Sequence, residues 1–326
     1  MKAWLRVFSI AVVLLALAVV AVWADDQPQG DTTAAIKDIP LYDGKPGDKI
    51  GDMRINLKDG AQMMWVPAGE FLMGSTSEEI SAIRKKYSIK GDPFKEIIEA
   101  ETPQRKVYLD GYWIYKNPVT VAQYRKFCTA TSRNMPTAPS WGWKDDHPMV
   151  MVVWQDAADY AKWAGVSLPT EAQWEKAARG TDGRKYPWGD TWDASKCAGI
   201  GILVYPRQEG EKKRLESTQP VGSYPTGVSP YGCMDMAGNV LQWCADWYDP
   251  KYYKNAPTKN PTGPSKPVEI EIMPGLMPGL ILKGARVMHG DSWDIGHYGS
   301  FRCANRTHGD PTYGYDASGF RCAVAP

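Results

Sequence analysis

Cysteine and histidine are the residues of this chain with the widest chemistry, since both bind metals and both serve in catalysis. The 326-residue sequence holds six Cys and four His. No two cysteines stand in C-x-x-C spacing, which argues against a zinc ribbon or a thioredoxin-type site. In an exported chain an even number permits up to three disulfides, although a domain of this size also accommodates buried thiols. The cysteines are Cys128, Cys197, Cys233, Cys244, Cys303 and Cys322.

Three of the histidines, His289, His297 and His308, lie in the C-terminal part of the chain and suggest a non-haem iron site. Their spacings of eight and eleven residues match no ligand motif. Histidines of surface or loop segments are therefore the simpler interpretation, and iron stays an open question. The fourth, His147, precedes Pro148 and indicates a turn or a packing position.

Short helices are predicted to carry part of the framework around these residues. Thr120 precedes an apolar-periodic stretch and predicts a helix N-cap. Thr170, with Gln173 three residues later, forms a capping-box pattern that predicts a second helix start. Residues 77–87 and 154–164 predict two further helices, the first charged and the second amphipathic.

Short strands are predicted before and between these helices. Met63–Val66 and Glu70–Met73 flank a Pro-Ala-Gly turn, which predicts a β-hairpin. Residues 106–115 alternate apolar and polar side chains and predict a single strand. After about residue 180, Trp, Gly and Pro punctuate the sequence, so we expect loops and short strands there.

The composition bounds the class of protein. Hydrophobic residues make up 43% and charged residues 23%, which is typical of a globular chain and excludes a wholly disordered one. The net charge of +1 argues against a protein that binds nucleic acid through bulk positive charge. The 31 Gly and 25 Pro predict many turns, and the 14 Trp and 17 Tyr are aromatic anchors that need a hydrogen-bond partner.

The N-terminus has the pattern of a secretory signal peptide. Lys2 and Arg6 precede the uncharged apolar run Val7–Val22, and Ala24 precedes two aspartates. The run is shorter than the roughly 20 residues that span a bilayer. We therefore predict that residues 1–24 are removed and that the protein is secreted or periplasmic. The alternative is an uncleaved segment, which would hold the protein at a membrane, and no Cys stands after the run that would make it a lipoprotein.

The rest of the chain is predicted to form an arm and one domain. Residues 25–58 are polar and predict a linker or loosely docked arm, and residues 59–326 predict the domain. Within it, residues 261–283 are rich in Pro and Gly and contain Met-Pro-Gly-Leu twice. Such a repeat is typical of a surface insertion.

A series of motifs runs in order along nearly the whole predicted domain. Together they resemble the formylglycine-generating enzyme or sulfatase-modifying factor family. The resemblance implies an irregular, loop-rich single α+β domain of sulfatase-modifying-factor type with a C-type-lectin-like fold. The motifs are Val66–Gly74, Glu101–Pro103, Pro118–Thr120, His147–Pro148, Leu168–Gly180, Tyr186–Gly189, Ala237–Val240, Gly290–Trp293 and Gly319–Arg321.

The copper chemistry of this family does not carry over to the chain. The family's oxidase binds copper through two cysteines shortly after a Gly-Gly-Ser segment, because thiolates are soft ligands for Cu(I). Here that segment is Gly-Asp-Ser, ending at Ser292. Two alignments of the next residues with the family place either Ile295 and Ser300, or Trp293 and Tyr298, at the copper positions. The resemblance therefore argues against formylglycine generation by the copper route.

A calcium site of the family is a closer match. The resemblance places a divalent ion at the segment 235–242, where a hard cation takes oxygen ligands. The matching ligands are the side chains of Asp235 and Gln242 and the carbonyls of Gly238 and Val240. The family more often has Asn first and Glu last, so the single carboxylate has moved to the other end of the loop.

The C-terminal loops use a restricted set of residues. Residues 294–301 and 307–318 hold only residue types that an AAC codon reaches when its adenines change. This resembles the variable proteins of diversity-generating retroelements, several of which use the same fold. Tyr combined with small polar residues is also typical of adaptable binding surfaces. An ordinary loop-rich tail is the alternative, since these residues are common in loops.

The sequence supports three functional hypotheses. The first is an exported domain that binds a protein or small-molecule ligand, and no nucleic acid, through its C-terminal face. The second is a diverged non-haem metal-dependent oxidoreductase that uses His297 or His308, and the third is a diversified receptor of a retroelement. The candidate ligand-binding residues are Trp293, Asp294, Ile295, His297, Tyr298, Arg302, His308, Asp310, Tyr313 and Tyr315.

Overall fold

The structure, a computed structural model, describes residues 39–87, 98–199, 215–271, 279–294 and 299–326. In these ranges the chain forms short helices and strands joined by many loops. The helices are α1 (Ser77–Tyr87), α2 (Val121–Thr131), α3 (Trp154–Trp163) and α4 (Glu171–Arg179). The strands are β1 (Met53–Ile55), β2 (Gln62–Val66), β3 (Gly69–Met73), β4 (Arg105–Leu109), β5 (Tyr112–Tyr115), β6 (Leu241–Trp247), β7 (Glu269–Glu271), β8 (Ile281–Lys283), β9 (Arg286–His289), β10 (Arg306–Gly309), β11 (Ser318–Phe320) and β12 (Ala323–Val324).

The predicted N-cap of α2 and the predicted capping box of α4 are confirmed, and both helix starts form capping boxes. The Thr120 hydroxyl accepts a hydrogen bond from the Gln123 backbone N–H, and the Gln123 side chain accepts one from the Thr120 backbone N–H. Thr170 and Gln173 repeat this arrangement at the start of α4. Each box satisfies N–H groups that the first turn of a helix leaves without a partner. Each helix start is therefore fixed by two residues that are three positions apart in the sequence.

Two four-stranded sheets and two strand pairs make up the β part. One sheet has the order β1-β2-β5-β12, and the other has the order β10-β9-β6-β11. Pairing is antiparallel except between β6 and β11, which run parallel. The pairs β3-β4 and β7-β8 stand apart from these sheets within the described residues. Mixed helices and antiparallel strands of this kind confirm the α+β class.

Two local strand predictions are wrong. β2 and β3 do not form a hairpin with each other, because β2 pairs with β1 and β5 while β3 pairs with β4. The segment 106–115 is not one strand either, because it divides into β4 and β5 in different sheets. Gly111 lies at this division, where a Cβ atom would come within 2.5 Å of the Trp65 ring. Only glycine allows the chain to turn so closely against that side chain.

Residues 40–326 form one compact unit that includes the end of the segment assigned to the polar arm. β1 lies in that segment and pairs with β2. The Trp113 indole also donates a hydrogen bond to the Lys45 carbonyl, and the Tyr42 hydroxyl donates one to the Ala325 carbonyl. The predicted signal peptide and residues 25–38 of the polar arm lie outside the described residues. So does most of the Met-Pro-Gly-Leu repeat, which falls between β7 and β8.

Two buried glutamates of the core are each paired with an arginine. Glu171 at the start of α4 accepts hydrogen bonds from Arg306 Nε at 2.6 Å and Nη2 at 2.8 Å, and His289 Nε2 lies 3.1 Å from it. Burial opposes the ionisation of this carboxylate, but Arg306 and His289 outweigh burial and lower the pKa of Glu171 to about 2. Glu101 is likewise paired with Arg302.

A third buried cation, Arg321, donates to a cage of oxygens. Its side chain is fully buried, and its Nε lies 2.6 Å from Gln242 Oε1. The other donors reach the carbonyls of Tyr115, Lys116, Met234 and Asp235 at 2.7 to 3.2 Å. These bonds connect β5, β6 and the C-terminal strands through a single guanidinium.

In the part of the chain that the structure describes, no helix has the length and apolar character needed to cross a membrane.

Candidate functional site

The segment Gly290–Trp293 comes directly after β9 and lies against the loop that precedes β6. The Gly238 N–H donates to the Gly290 carbonyl at 2.6 Å, and the Trp293 N–H donates to the Asn239 carbonyl at 3.1 Å. Gly238 has φ +80°, and a Cβ atom there would come within 2.4 Å of the Ala198 carbonyl oxygen. The loop can therefore approach this closely only with glycine at that position. These contacts fix the position of Ser292.

Two aspartate side chains bind to Ser292. Its backbone N–H donates to Asp291 Oδ1 at 2.8 Å, and its hydroxyl donates to Asp294 Oδ1 at 2.7 Å. Asp291 is only 7% exposed, and its Oδ2 has no hydrogen-bond partner. Burial, reinforced by the charge of Asp294, raises the pKa of Asp291 to about 7 despite hydrogen bonds from Ser300 and Ser292. Burial and Asp294 also raise the pKa of Asp316.

Trp293 joins this acidic cluster to the last loop of the chain. Its indole N–H donates to the Asp316 carbonyl at 3.3 Å. The Trp293 and Trp141 rings meet edge to face, with their centroids 5.2 Å apart. Trp293 is 6% exposed, and Trp141 is half-buried. An aromatic pair therefore adjoins three carboxylates.

The same loop exposes two tyrosines side by side. The Tyr313 ring is 60% exposed, and its centroid lies 4.8 Å from that of Tyr315. The Asp310 carboxylate accepts hydrogen bonds from the backbone N–H and hydroxyl of Thr312, which closes the turn before the pair. The Tyr315 carbonyl accepts the Met151 N–H at 2.9 Å and anchors the end of the pair. The loop is thus held at its base and open at its tip.

The structure brings together five of the candidate ligand-binding residues on one face, which we call the C-terminal face. It consists of the acidic cluster, the Trp pair and the tyrosine loop. Three other candidates, Ile295, His297 and Tyr298, lie outside the described residues. The five are Trp293, Asp294, Asp310, Tyr313 and Tyr315.

Arg302 lies in a different setting, since it is 6% exposed and ion-paired. Its two Nη atoms donate to the Glu101 carboxylate at 2.6 and 2.7 Å, and Nη1 also lies 3.2 Å from the Ser75 hydroxyl. Arg302 contributes to the wall of a cavity of about 390 Å³ that Arg179 and Trp192 also line. The described contacts give its guanidinium a structural partner.

His308 lies on β10, where its ring centroid is 4.5 Å from that of Tyr248. Its Nδ1 is buried without a hydrogen-bond partner. Burial and the charge of Arg306 lower the pKa of His308 to about 4. Among the residues that the structure describes, no three His, Cys, Asp or Glu side chains converge on a metal position. The described surroundings of His308 therefore offer no set of three such ligands.

Comparison with known proteins identifies the family. Residues 51–326 match the model of the sulfatase-modifying factor enzyme 1-like domain. This chain belongs to the sulfatase-modifying factor family. The formylglycine-generating enzyme of Streptomyces coelicolor is 32% identical in an alignment of 310 positions that covers 79% of this chain and 87% of the enzyme. The mouse formylglycine-generating enzyme is 26% identical in an alignment of 311 positions that covers 81% of this chain and 75% of the enzyme.

Solved structures share the fold at lower sequence identity. PvdO from Pseudomonas aeruginosa superimposes with a TM-score of 0.62 at 23% identity, over 85% of this chain and 99% of that one. Treponema denticola variable protein 1 superimposes with a TM-score of 0.58 at 19% identity, over 86% and 100%. The expected single domain of sulfatase-modifying-factor type is thus confirmed.

This family member lacks the cysteine pair of the family's oxidases. Residues 293–302 contain no Cys in the sequence. All six cysteines of the chain are buried thiols that form no disulfide. Burial raises the pKa of Cys303, Cys322 and Cys244 above that of an ordinary thiol, which disfavours the reactive thiolate. The cysteines therefore belong to the core of the domain.

The predicted calcium ligands are engaged in other contacts. Gln242 Oε1 accepts hydrogen bonds from the Trp174 indole at 2.9 Å and from Arg321 at 2.6 Å. Gln242 Nε2 donates to the Asp235 carbonyl, while the Asp235 carboxylate accepts the Gly222 N–H at 2.8 Å. The Arg321 guanidinium thus binds Gln242 Oε1, the side-chain oxygen that calcium would need. This arrangement does not fit a calcium ion. Calcium at this loop stays a prediction that requires Gln242 to turn away from Arg321.

Asp291, Asp316 and Trp141 were not among the candidates from the sequence. Asp291 could have been found from the sequence, because it stands where the family's segment has its second Gly. Trp141 could not have been found in this way, because it lies 152 residues before Trp293 and contacts it only in the folded chain. Asp316 lies inside the loop 307–318 but shares its residue type with other loop positions.

Proposed function

We propose that this chain is an exported domain that binds a ligand or protein partner through its C-terminal face and does not make formylglycine by the copper route. The observation that carries the proposal is the replacement of thiols in the segment after Ser292. That segment holds no Cys, and the face built around it combines aromatic side chains with Asp291, whose buried Oδ2 has no hydrogen-bond partner. Such a surface suits recognition better than oxidation.

Copper chemistry would need ligands that the face does not supply. Cu(I) prefers thiolates and thioethers, whereas Asp291, Asp294 and Ser292 offer only hard oxygens. The cysteines of the chain are buried, so none is presented to a peptide substrate at the surface. This supports the loss of the family's oxidase activity.

Binding is supported by the exposed aromatic residues. Tyr313 and Tyr315 expose 60% and 36% of their surface although both are large rings. Tyr supplies contact area at a small cost in side-chain entropy, and neighbouring Asp, Ser and Gly supply adaptable hydrogen bonds. The turn at Asp310 holds the tyrosines in place before a ligand arrives.

The loss of oxidase activity is tested with copper(I), dioxygen and a cysteine-containing peptide, with mass spectrometry of the peptide as the readout. The S. coelicolor formylglycine-generating enzyme is the positive control. We expect the peptide to keep its thiol with this chain and to gain an aldehyde with the control. Aldehyde formation by this chain would overturn that half of the proposal.

Binding is tested by thermal shift across a library of small molecules and short peptides. The protein is compared with a Tyr313→Ser/Tyr315→Ser double variant. We expect ligands that raise the Tm of the unmodified protein and shift the Tm of the variant much less. Ligands that shift both proteins equally bind elsewhere and would count against the C-terminal face.

Export belongs to the same proposal and rests on the N-terminal sequence pattern. The test is expression of the full chain with cell fractionation and intact-mass measurement. We expect a mature protein that begins after Ala24 in the secreted or periplasmic fraction. A full-length protein in the membrane fraction would support the uncleaved alternative instead.

A diversified receptor is the second candidate function. Its support is the fold shared with a protein described as a variable protein of T. denticola, together with the restricted residue types of the C-terminal loops. The gene neighbourhood tests it. A near-copy of the tail sequence with adenines at the variable codons, beside a reverse transcriptase gene, is expected. Absence of both would remove this candidate.

A further inference from the structure

The acidic cluster of the C-terminal face differs from an ordinary group of surface carboxylates because one member is buried. Asp291 is only 7% exposed, and the Ser292 backbone N–H binds one of its oxygens. The other oxygen, Oδ2, is buried and has no hydrogen-bond partner. A buried acceptor without a partner costs free energy, and the cost is larger for a charged group. A ligand that donates to Oδ2 would remove this cost.

No positive charge in the described residues compensates the cluster. Asp294 is held by the Ser292 hydroxyl, and Asp316 is exposed. No Lys, Arg or His of the described segments forms an ion pair with Asp291, Asp294 or Asp316, although buried Glu101 and Glu171 each pair with an arginine. The field at this part of the face is therefore negative and favours a cationic group.

The neighbouring indoles favour the same chemistry. Trp293 is the next residue after Ser292, and Trp141 packs against it with a centroid separation of 5.2 Å. A cation over the face of an indole is attracted by the ring quadrupole, most strongly when it is partly desolvated. Carboxylates beside an aromatic ring are a usual environment for ammonium and guanidinium groups.

A bare metal ion fits the cluster less well than an organic cation. A hard divalent ion needs several oxygens that converge on one point. Within the described segments no three His, Cys, Asp or Glu side chains converge in this way. Asp291 and Asp294 instead bind to different atoms of Ser292, which suits the separated N–H donors of a larger cation.

We propose that Asp291 and Asp294, beside the indole of Trp293, form a subsite for a cationic group, either a guanidinium or an ammonium, of the ligand bound at the C-terminal face. This inference rests on the proposed binding function and names the chemical class of its ligand. The cation belongs either to a small molecule or to an Arg or Lys side chain of a protein partner.

The test is calorimetric titration of the full mature chain at about pH 8, where carboxylates are ionised. The probes are n-butylguanidinium and its neutral isostere n-butylurea. We expect butylguanidinium to bind at least about tenfold more tightly than butylurea. Asp291→Asn and Asp294→Asn are expected to reduce that preference about tenfold, whereas Glu70→Gln, which removes the same charge from an exposed ion pair on β3, is expected to keep it.

A second variant guards against misfolding of the first. Asp291 has φ +57°, a left-handed conformation that glycine adopts freely, so Asp291→Gly should fold and should lose the preference as Asp291→Asn does. Acetyl-Gly-Arg-Gly-amide and its citrulline analogue separate the two sources. Tighter binding of the Arg peptide than of butylguanidinium supports a protein partner, and the reverse supports a small molecule.

Equal binding of butylguanidinium and butylurea, no detectable binding of either, or full binding by both Asp291 variants would overturn the inference. The proposed function is judged separately. Library ligands whose thermal shift depends on Tyr313 and Tyr315 but not on Asp291 would leave that function standing and remove only the cation subsite.

Discussion

Buried carboxylates lie both in the core of this domain and at its C-terminal face. The core glutamates Glu171 and Glu101 are paired with arginines, whereas Asp291 at the face forms no ion pair with a described residue. Glu171 receives two hydrogen bonds from Arg306, and Glu101 receives two from Arg302. On the face, Asp291 has a buried oxygen without a partner.

The difference separates structural charge from charge that is available for binding. A buried ion pair holds the fold in one arrangement, and removal of one partner leaves an uncompensated charge. A buried carboxylate without a counter-ion lowers stability, and a ligand can recover the lost free energy. A substitution that neutralises the carboxylate should therefore lower the free energy of unfolding in the core and raise it at the C-terminal face.

The largest expected effect is in the core. Glu171→Gln leaves Arg306 buried without its counter-ion and should lower the free energy of unfolding by ~3–5 kcal/mol. Urea denaturation at neutral pH measures it, with Glu70→Gln as a control for an exposed pair that should change by about 1 kcal/mol or less. A loss as small as that of the control would contradict the structural role of the Glu171 pair.

Neutralising Asp291 should instead raise the free energy of unfolding. Its folded pKa of about 7 lies above the roughly 3.9 of an unfolded Asp, so the ionised form destabilises the fold. Wild-type stability from this group is present at low pH and is lost as the pH rises through about 4 to 7. Asp291→Asn should therefore stabilise the protein by about 4 kcal/mol at pH 8 and by less than about 1 kcal/mol near pH 4.

Denaturant midpoints of the two proteins across this pH range provide the measurement. Asn also tolerates the left-handed backbone at position 291, so the substitution should not introduce strain. A destabilised Asn variant at pH 8 would show that the Asp291 carboxylate is satisfied in the folded protein.

Cation binding should depend on the ionisation of the same group. The Asp291 carboxyl pairs with a cation only when ionised, so butylguanidinium should bind about tenfold more tightly at pH 8 than at pH 6. Among the described residues, Asp294 is the charged group that acts on Asp291, and its charge favours the protonated form of Asp291. In Asp291→Asn the pH dependence should largely disappear, and persistence of the full dependence would assign it to another group.

The smallest effect on stability is expected at the tyrosine loop. Tyr313 is 60% exposed, so Tyr313→Ala should change the free energy of unfolding by no more than about 0.5 kcal/mol. Tyr160, which is fully buried in the aromatic core, is the comparison, and Tyr160→Ala should cost ~3–5 kcal/mol. A large loss at Tyr313 would mean that the loop contributes to the core rather than to binding.

Local features of the fold could be predicted from the sequence. Thr120 and Thr170 fix helix starts through contacts only three residues away, and both predictions are confirmed. Strand partners could not be predicted in this way. The turn after β2 suggested a hairpin, but β2 pairs with β5, whose residues come 46 or more positions later. Partner choice depends on burial in the complete domain, which the local pattern does not contain.

The candidate site likewise combines residues that the sequence indicates with contacts that only the tertiary fold creates. Residue types indicated Trp293, Asp294 and the tyrosines, because they lie together in loops of unusual composition. Sequence could not show that Arg302 has a partner in Glu101, 201 residues earlier, or that Trp141 packs on Trp293. Nor could it show that Gln242 is engaged by Arg321. Each of these contacts joins segments that only the tertiary fold brings together.

A crystal structure of the mature chain with n-butylguanidinium tests the cation subsite most directly. We predict a guanidinium within hydrogen-bond distance of Asp291 and Asp294, beside the Trp293 ring. A guanidinium bound instead in the cavity lined by Arg179, Trp192 and Arg302, with Asp291 Oδ2 still without a partner, would contradict this prediction.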